Sequence, residues 1–186
     1  LSDRASEKRR RDLALGRAAA HDALAEIGLG GPVLRGDRGA PRWPAAAVGS
    51  ITHSGGLAIA VVAHEQQYAG IGIDLEQRVD ALTDAVAALV CTPAELAWAA
   101  ATPEAVSCRR ATIFSAKEAL FKALFPLTGV WFDYLDAELT WSTSAGCFIA
   151  TLLRPLNERF GAGFTMPVSS LVTADGVLSA ASVERS

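Results

Sequence analysis

The stretch that decides the fold is Ala69-Gly70-Ile71-Gly72-Ile73-Asp74-Leu75-Glu76. It alternates with the period of a strand, so Ile71, Ile73 and Leu75 share one face and Gly72, Asp74 and Glu76 the other. Read alone, it is a strand with one buried face and two carboxylates about 7 Å apart on the opposite face. Upstream, Val48–Thr52 and Leu57–Ala63 also read as strands, joined by Ser54-Gly55-Gly56. Before them, residues 28–47 are rich in Gly and Pro, with a tight turn at Arg35-Gly36-Asp37-Arg38-Gly39. Residues 2–27 read as a helix: Leu13, Ala20, Leu24 and Ile27 recur at helical spacing, and Gly28 is the stop. Downstream, residues 81–100 are helical with a fresh start at Pro93 after Thr92. A strong helix over Ser107–Phe125 is expected to end at Pro126. The tail reads as strands at Ala137–Ser142, Cys147–Leu153, Ser169–Thr173 and Val177–Val183. Strands and helices come in mixed groups rather than a regular βαβ repeat, so the expected class is α+β.

Composition narrows the function classes. The chain has 186 residues, 51% apolar and 20% charged, which excludes wholesale disorder. Its formal charge of −3 argues against a general nucleic-acid binder. The longest purely apolar run, Leu57–Ala63, is far short of the ~20 residues a membrane span needs. Three cysteines, Cys91, Cys108 and Cys147, have no C-x-x-C spacing, which favours a reducing compartment and no structural zinc. No signal peptide opens the chain. Leu1 is not a Met, so the natural start is expected upstream.

Four groups of residues could carry chemistry. Asp74 and Glu76 repel unless a cation or a proton relieves them, and a hard divalent ion suits two carboxylates; an acidic strand end at the surface is the alternative. On the helix, Ile113, Phe114, Leu120, Phe121, Leu124 and Phe125 form one apolar sector with Lys117 near its middle. An unpaired buried ammonium costs several kcal/mol, so Lys117 needs an anion or must snorkel to the surface. Glu118 and Lys122 have the spacing of an ordinary i,i+4 bridge. His53, in Gly49-Ser50-Ile51-Thr52-His53-Ser54, could bond a phosphate or be a plain surface residue. Arg35, Arg38 and Arg42 could wrap an anion or simply be solvated, and the run Lys8-Arg9-Arg10-Arg11 reads first as a solvated face. The chain has no G-x-S-x-G elbow, no Walker lysine loop, no G-x-G-x-x-G and no H-E-x-x-H. The remaining chemistry points toward phosphate.

Three segments in order sharpen this reading: Gly39-Ala-Pro-Arg-Trp43-Pro44 running to Gly49–Ser54, then Gly72-Ile73-Asp74-Leu75-Glu76, then Phe114-Ser-Ala-Lys117-Glu118-Ala-Leu-Phe121-Lys122. Together they resemble the 4′-phosphopantetheinyl transferases, of the larger, monomeric bacterial type that serves peptide synthetases, polyketide synthases and siderophore assembly. The resemblance implies an α+β fold of two similar lobes related by a pseudo-twofold, each a small sheet packed with a helix. They would span residues 1–76 and 77–186, with the ligand cleft between them. It implies transfer of phosphopantetheine from coenzyme A to a serine of an acyl or peptidyl carrier protein, releasing adenosine 3′,5′-bisphosphate, in the cytoplasm and without nucleic acid or membrane as partner. Asp74, Glu76 and Glu118 would be the ligands of Mg²⁺, with Mn²⁺ as an alternative, and Glu118 also the general base. Lys117 and His53 would contact the pyrophosphate. Arg17, His21 and Arg38 would surround the 3′-phosphate and adenine, with His21 where an arginine is frequent. Lys122 would support a phosphate, and Phe121 and Trp131 would line the pantetheine channel or belong to the core. A nucleotide pyrophosphohydrolase and an inactive coenzyme A-binding module are the rival readings.

Overall fold

The computed structural model describes residues 2–77, 80 and 82–185, with residues 2–6 and 37 as backbone only. Leu1, and Ala81 at which the second helical region is expected to begin, lie outside the described residues. A long helix, α1 (Ser2–Glu26), leans on a hairpin of β3 (Ala47–Ser54) and β4 (Leu57–His64). Ser54 pairs with Leu57, leaving Gly55 and Gly56 as a two-residue loop. Both have positive φ, which suits the right-handed twist of a hairpin. Two short strands, β1 (Leu34–Arg35) and β2 (Pro41–Arg42), pair around the Arg38 turn. The core of this N-terminal unit is small: Ala20, Leu24 and Val33 are buried, with Trp43, Ile51 and Val62 packed around them. Leu13, expected on the same stripe, is 48% exposed. The helix makes its tight approach further along, where a Cβ on Gly16 would stand 2.9 Å from Ile51 Cγ2.

The second unit is a five-stranded antiparallel sheet in the order β5-β9-β8-β7-β6. It is built from β5 (Tyr68–Glu76), β6 (Ala137–Ser142), β7 (Cys147–Leu152), β8 (Thr165–Thr173) and β9 (Gly176–Glu184). Two short helices, α2 (Asp84–Val90) and α3 (Pro93–Ala100), lead into α4 (Val106–Thr128), which crosses β5 and β9. Thr92 caps α3 with Pro93 in the first turn, as the sequence implies. Ile113, Leu120 and Leu124 of α4 are buried with Phe148, Leu152 and Val168 of the sheet. The expected helix stop at Pro126 is overturned. Pro126 sits exposed in the last turn, where it forfeits only one backbone donor, and the helix ends at left-handed Gly129, whose N–H bonds Phe125 O.

The β5 face left open by the alternation argument is covered. A Cβ on Gly72 would lie 1.9 Å from Ala119 O, so glycine is what lets α4 sit directly on the strand. Asp74, on that face, is only 7% exposed. The strand is also the joint between the units. One edge pairs with β9, although β5 precedes the expected boundary after residue 76. Along the other edge the hydroxyls of Ser50, Thr52 and Ser54 accept from the N–H groups of Ile73, Leu75 and Gln77 at 3.1, 3.0 and 3.4 Å. Side chains two apart on β3 thus serve backbone groups two apart on β5.

Candidate active site

The carboxylates lie where β5 meets α4. Asp74 Oδ1 accepts from Lys122 Nζ at 2.7 Å and from Thr52 Oγ1 at 3.3 Å. Lys122 also bonds Ile73 O at 3.1 Å, and Ser115 Oγ holds Asp74 O at 3.0 Å. Glu118 Oε1 accepts the phenol proton of Tyr134. In place of the Glu118–Lys122 bridge that the spacing allows, Lys122 pairs with Asp74 on β5 and Glu118 with Tyr134. Glu76 is half-buried one strand period beyond Asp74. These three carboxylates suit a hard divalent cation by donor type. The contacts of Asp74 and Glu118 fall on Oδ1 and Oε1. Among the described residues, no three His, Cys, Asp or Glu side chains are drawn together into a coordination sphere.

Lys117 finds its anion inside the protein. Its side chain is 2% exposed and its ammonium meets Glu95 Oε2 at 2.8 Å, Val90 O at 2.9 Å and Tyr134 O at 2.8 Å. Three acceptors match its three donors. The anion it needs is Glu95, 1% exposed, which also accepts from Thr92 N at 2.6 Å and Leu139 N at 2.7 Å. Glu95 escaped the sequence reading, yet Thr92-Pro93-Ala94-Glu95 is a capping box and was its visible signal. Burial, and then Glu95, push the nearby Cys91 thiol up to about 11.

The expected cations lie on the N-terminal unit. A cavity of about 400 Å³ is walled by Arg9, Arg10, Arg17, Arg35 and His53, among others. Arg17 Nη2 is anchored on Leu34 O at 3.0 Å. Burial and the neighbouring Arg35 pull its guanidinium below its ordinary value, as expected for cations gathered without an anion. His53 Nδ1 lies 3.9 Å from Asp12, a carboxylate the sequence reading passed over. The Lys8–Arg11 run is thus more than a solvated face, since Arg9 and Arg10 border the cavity. His21 is exposed on α1 and does not line it.

A second cavity, of about 260 Å³, lies between the units. Arg38, Pro41, Trp43 and Ile51 line it from one side, and Phe121, Lys122, Phe125 and Trp131 from the other. It shares Gly39, Pro41 and Ile51 with the cationic cavity. Arg38, held at φ 52, places its guanidinium 5.5 Å from the centroid of Trp131. Trp131 meets Phe121 edge-on at 4.8 Å and is 54% exposed. Both aromatics also border a small cavity of about 100 Å³ that contains Glu118 and Tyr134. Burial, then the bond to Glu118, push the Tyr134 phenol up, so it remains a proton donor. The structure therefore groups Arg17, Arg35 and His53; Arg38, Phe121, Lys122 and Trp131; and Asp74 with Lys122. Lys117 borders the small cavity with Glu118, Phe121 and Trp131, while His21 lines none of the three cavities.

The fold is that of a known class. The chain is similar to holo-[acyl-carrier-protein] synthase of Thermotoga maritima at a TM-score of 0.50 and 21% identity, over 64% of this chain and 65% of that one, and the two share an α+β fold. Residues 1–63 match the family model of the 4′-phosphopantetheinyl transferase N-terminal domain, and residues 70–163 that of the 4′-phosphopantetheinyl transferase superfamily. The chain belongs to that superfamily. It is 43% identical to 4′-phosphopantetheinyl transferase Svp of Streptomyces mobaraensis, over 82% of this chain and 63% of that protein. It is 37% identical to 4′-phosphopantetheinyl transferase PptT of Mycobacterium tuberculosis, over 82% and 69%. With enterobactin synthase component D of Escherichia coli K12 the identity is 40%, over 64% and 56%. The chain spans 63% of the length of its Streptomyces and Nocardia relatives. No helix among the described residues is long and apolar enough to cross a membrane.

Proposed function

We propose that this chain transfers the 4′-phosphopantetheine group of coenzyme A to a serine of an acyl or peptidyl carrier protein and releases adenosine 3′,5′-bisphosphate. The observation that carries this reading is the pair of cavities with a shared wall. Coenzyme A is a polyanion at its nucleotide end and uncharged along its pantetheine arm. The cationic cavity suits the first, and the aromatic cavity between the units suits the second. Arg17, Arg35 and Arg38 would hold the 3′-phosphate end, with His21 able to reach it only from outside the cavity. His53 would contact the pyrophosphate, with Asp12 3.9 Å from its Nδ1. Lys122, the more exposed of the two, and Lys117 would contact the phosphates. Phe121 and Trp131 would flank the arm. The lobes would be residues 1–76 and 77–186, sharing β5.

Asp74, Glu76 and Glu118 would hold Mg²⁺ or Mn²⁺, which offsets charge on the pyrophosphate. Glu118 would take the proton of the carrier serine, and in-line attack on the β-phosphate would then depend mainly on positioning and charge. The reading places a monomer in the cytoplasm, in the service of secondary-metabolite or siderophore assembly. Lys8, Arg11 and Arg42, exposed near the cleft, would meet an acidic carrier.

The test is the intact mass of an apo carrier protein incubated with this chain, coenzyme A and Mg²⁺, with parallel reactions lacking metal or carrying Glu118→Gln. A phosphopantetheine adduct that needs both metal and Glu118 is the expected result. Hydrolysis of coenzyme A without any adduct would favour a pyrophosphohydrolase. Binding without turnover would favour an inactive coenzyme A module.

A further inference from the structure

We infer that Tyr134 is a positioning residue for Glu118: it holds one carboxylate oxygen and directs the other toward the cation. The inference rests on the proposed transferase site. Tyr134 grips two consecutive residues of α4. Its backbone oxygen accepts from Lys117 Nζ at 2.8 Å, and its phenol donates to Glu118 Oε1. The turn that carries it is itself pinned. Tyr134 N donates to Asp133 Oδ1 at 2.8 Å, and Asp133 N donates to Asp136 Oδ2 at 2.7 Å, which closes a capping box over the turn Tyr134–Asp136. The ring lies against Phe114, centroid to centroid at 5.6 Å. The saturated ion pair Lys117–Glu95 thus anchors the turn, and the turn anchors the carboxylate.

A glutamate has three side-chain torsions, and an exposed one samples many rotamers. With Oε1 fixed by a phenol, Glu118 presents Oε2 in one direction. A metal ligand oriented by an outer hydrogen bond typically loses about 10-fold or more in metal affinity when that bond is removed. The effect should fall on the cation, because Tyr134 lines neither the cationic cavity nor the aromatic cavity between the units.

The test is Tyr134→Phe, which keeps the ring on Phe114 and the backbone oxygen on Lys117. Mn²⁺ binding is read by electron paramagnetic resonance with coenzyme A present, and coenzyme A binding is read calorimetrically without metal. Mn²⁺ should bind about 10-fold more weakly, while metal-free coenzyme A affinity stays within about twofold of the parent and the melting temperature is unchanged. Mn²⁺ affinity within twofold of the parent would overturn the inference. So would a joint fall in coenzyme A affinity and melting temperature, which would mark general loosening. If the parent bound no Mn²⁺ and Glu118→Gln changed nothing, the proposed metal site would fail and the inference with it. If Glu118→Gln weakened Mn²⁺ but Tyr134→Phe did not, the inference alone would fail.

Discussion

The two units solve the same packing problem, a long helix on antiparallel strands, at very different depths. Around α1 the apolar core, among the described residues, is no more than Ala20, Leu24 and Val33 with a few half-buried neighbours. Around α4 a continuous core runs from Val90 to Val183 and encloses a charged pair, Lys117 and Glu95. Thin burial leaves the arginines of the first unit on the wall of an open cavity. Thick burial in the second unit forces its lysine to take an internal one. A cation is thus left open to solvent in one unit and locked into the architecture in the other, and local depth decides which.

The sharpest way to break the contrast is Glu95→Ala. It leaves the Lys117 ammonium buried with two carbonyls and no counter-charge, and should cost about 3–5 kcal/mol in urea denaturation. An equal loss from Arg17→Ala would erase the distinction between the units.

Next in size is a pH effect. The Cys91 thiol is raised from 9.0 to about 11 by burial. The folded state therefore holds this proton more tightly than the unfolded chain does. The contribution is fully present below pH 9 and is lost as pH rises toward 11. A rise of that size corresponds to at most about 3 kcal/mol. Tyr134 adds a loss of the same sign at the alkaline end. Denaturation midpoints measured across that window should fall less steeply in Cys91→Ala than in the parent.

At the joint, Thr52→Val removes the acceptor of Leu75 N–H on an edge that no strand pairs. An orphaned buried donor costs about 1–2 kcal/mol, and Lys122 would lose a neighbour on Asp74. The smallest effect belongs to the first unit. Leu13→Ala should change stability by less than about 0.5 kcal/mol, because the side chain is half exposed. The same truncation at Leu124, fully buried, should cost about 2–5 kcal/mol.

Much of this was legible in the sequence, and what was not shares a physical cause. Periodicity located β3, β4, β5 and α4 and placed Asp74 on the same strand face as Gly72. It also identified Lys117 as an ammonium in an apolar sector. Periodicity is local, however, and partners are not. Glu95 meets Lys117 across a turn between helices, and β5 meets β9 from the far end of the chain. That α4 covers the carboxylate face follows from Gly70 and Gly72, small enough to admit a helix backbone. A glycine at alternate strand positions was the available cue. Pro126 misled because a proline near a helix end removes one i→i−4 bond without forbidding a further turn, and Leu124 and Leu127, packed in and on the core, carry the helix past it to Gly129.

The rungs between Ser50, Thr52, Ser54 and β5 have a mechanical consequence. Because they repeat every second residue, a slide of the first unit along the strand by one residue would set every hydroxyl opposite a residue whose N–H faces β9 instead. Intermediate displacements gain nothing, so translation is blocked. Rotation about the row of rungs stretches them little. If the cleft breathes to admit a long, flexible ligand, it does so as a hinge rather than by shear, with β5 as its pin.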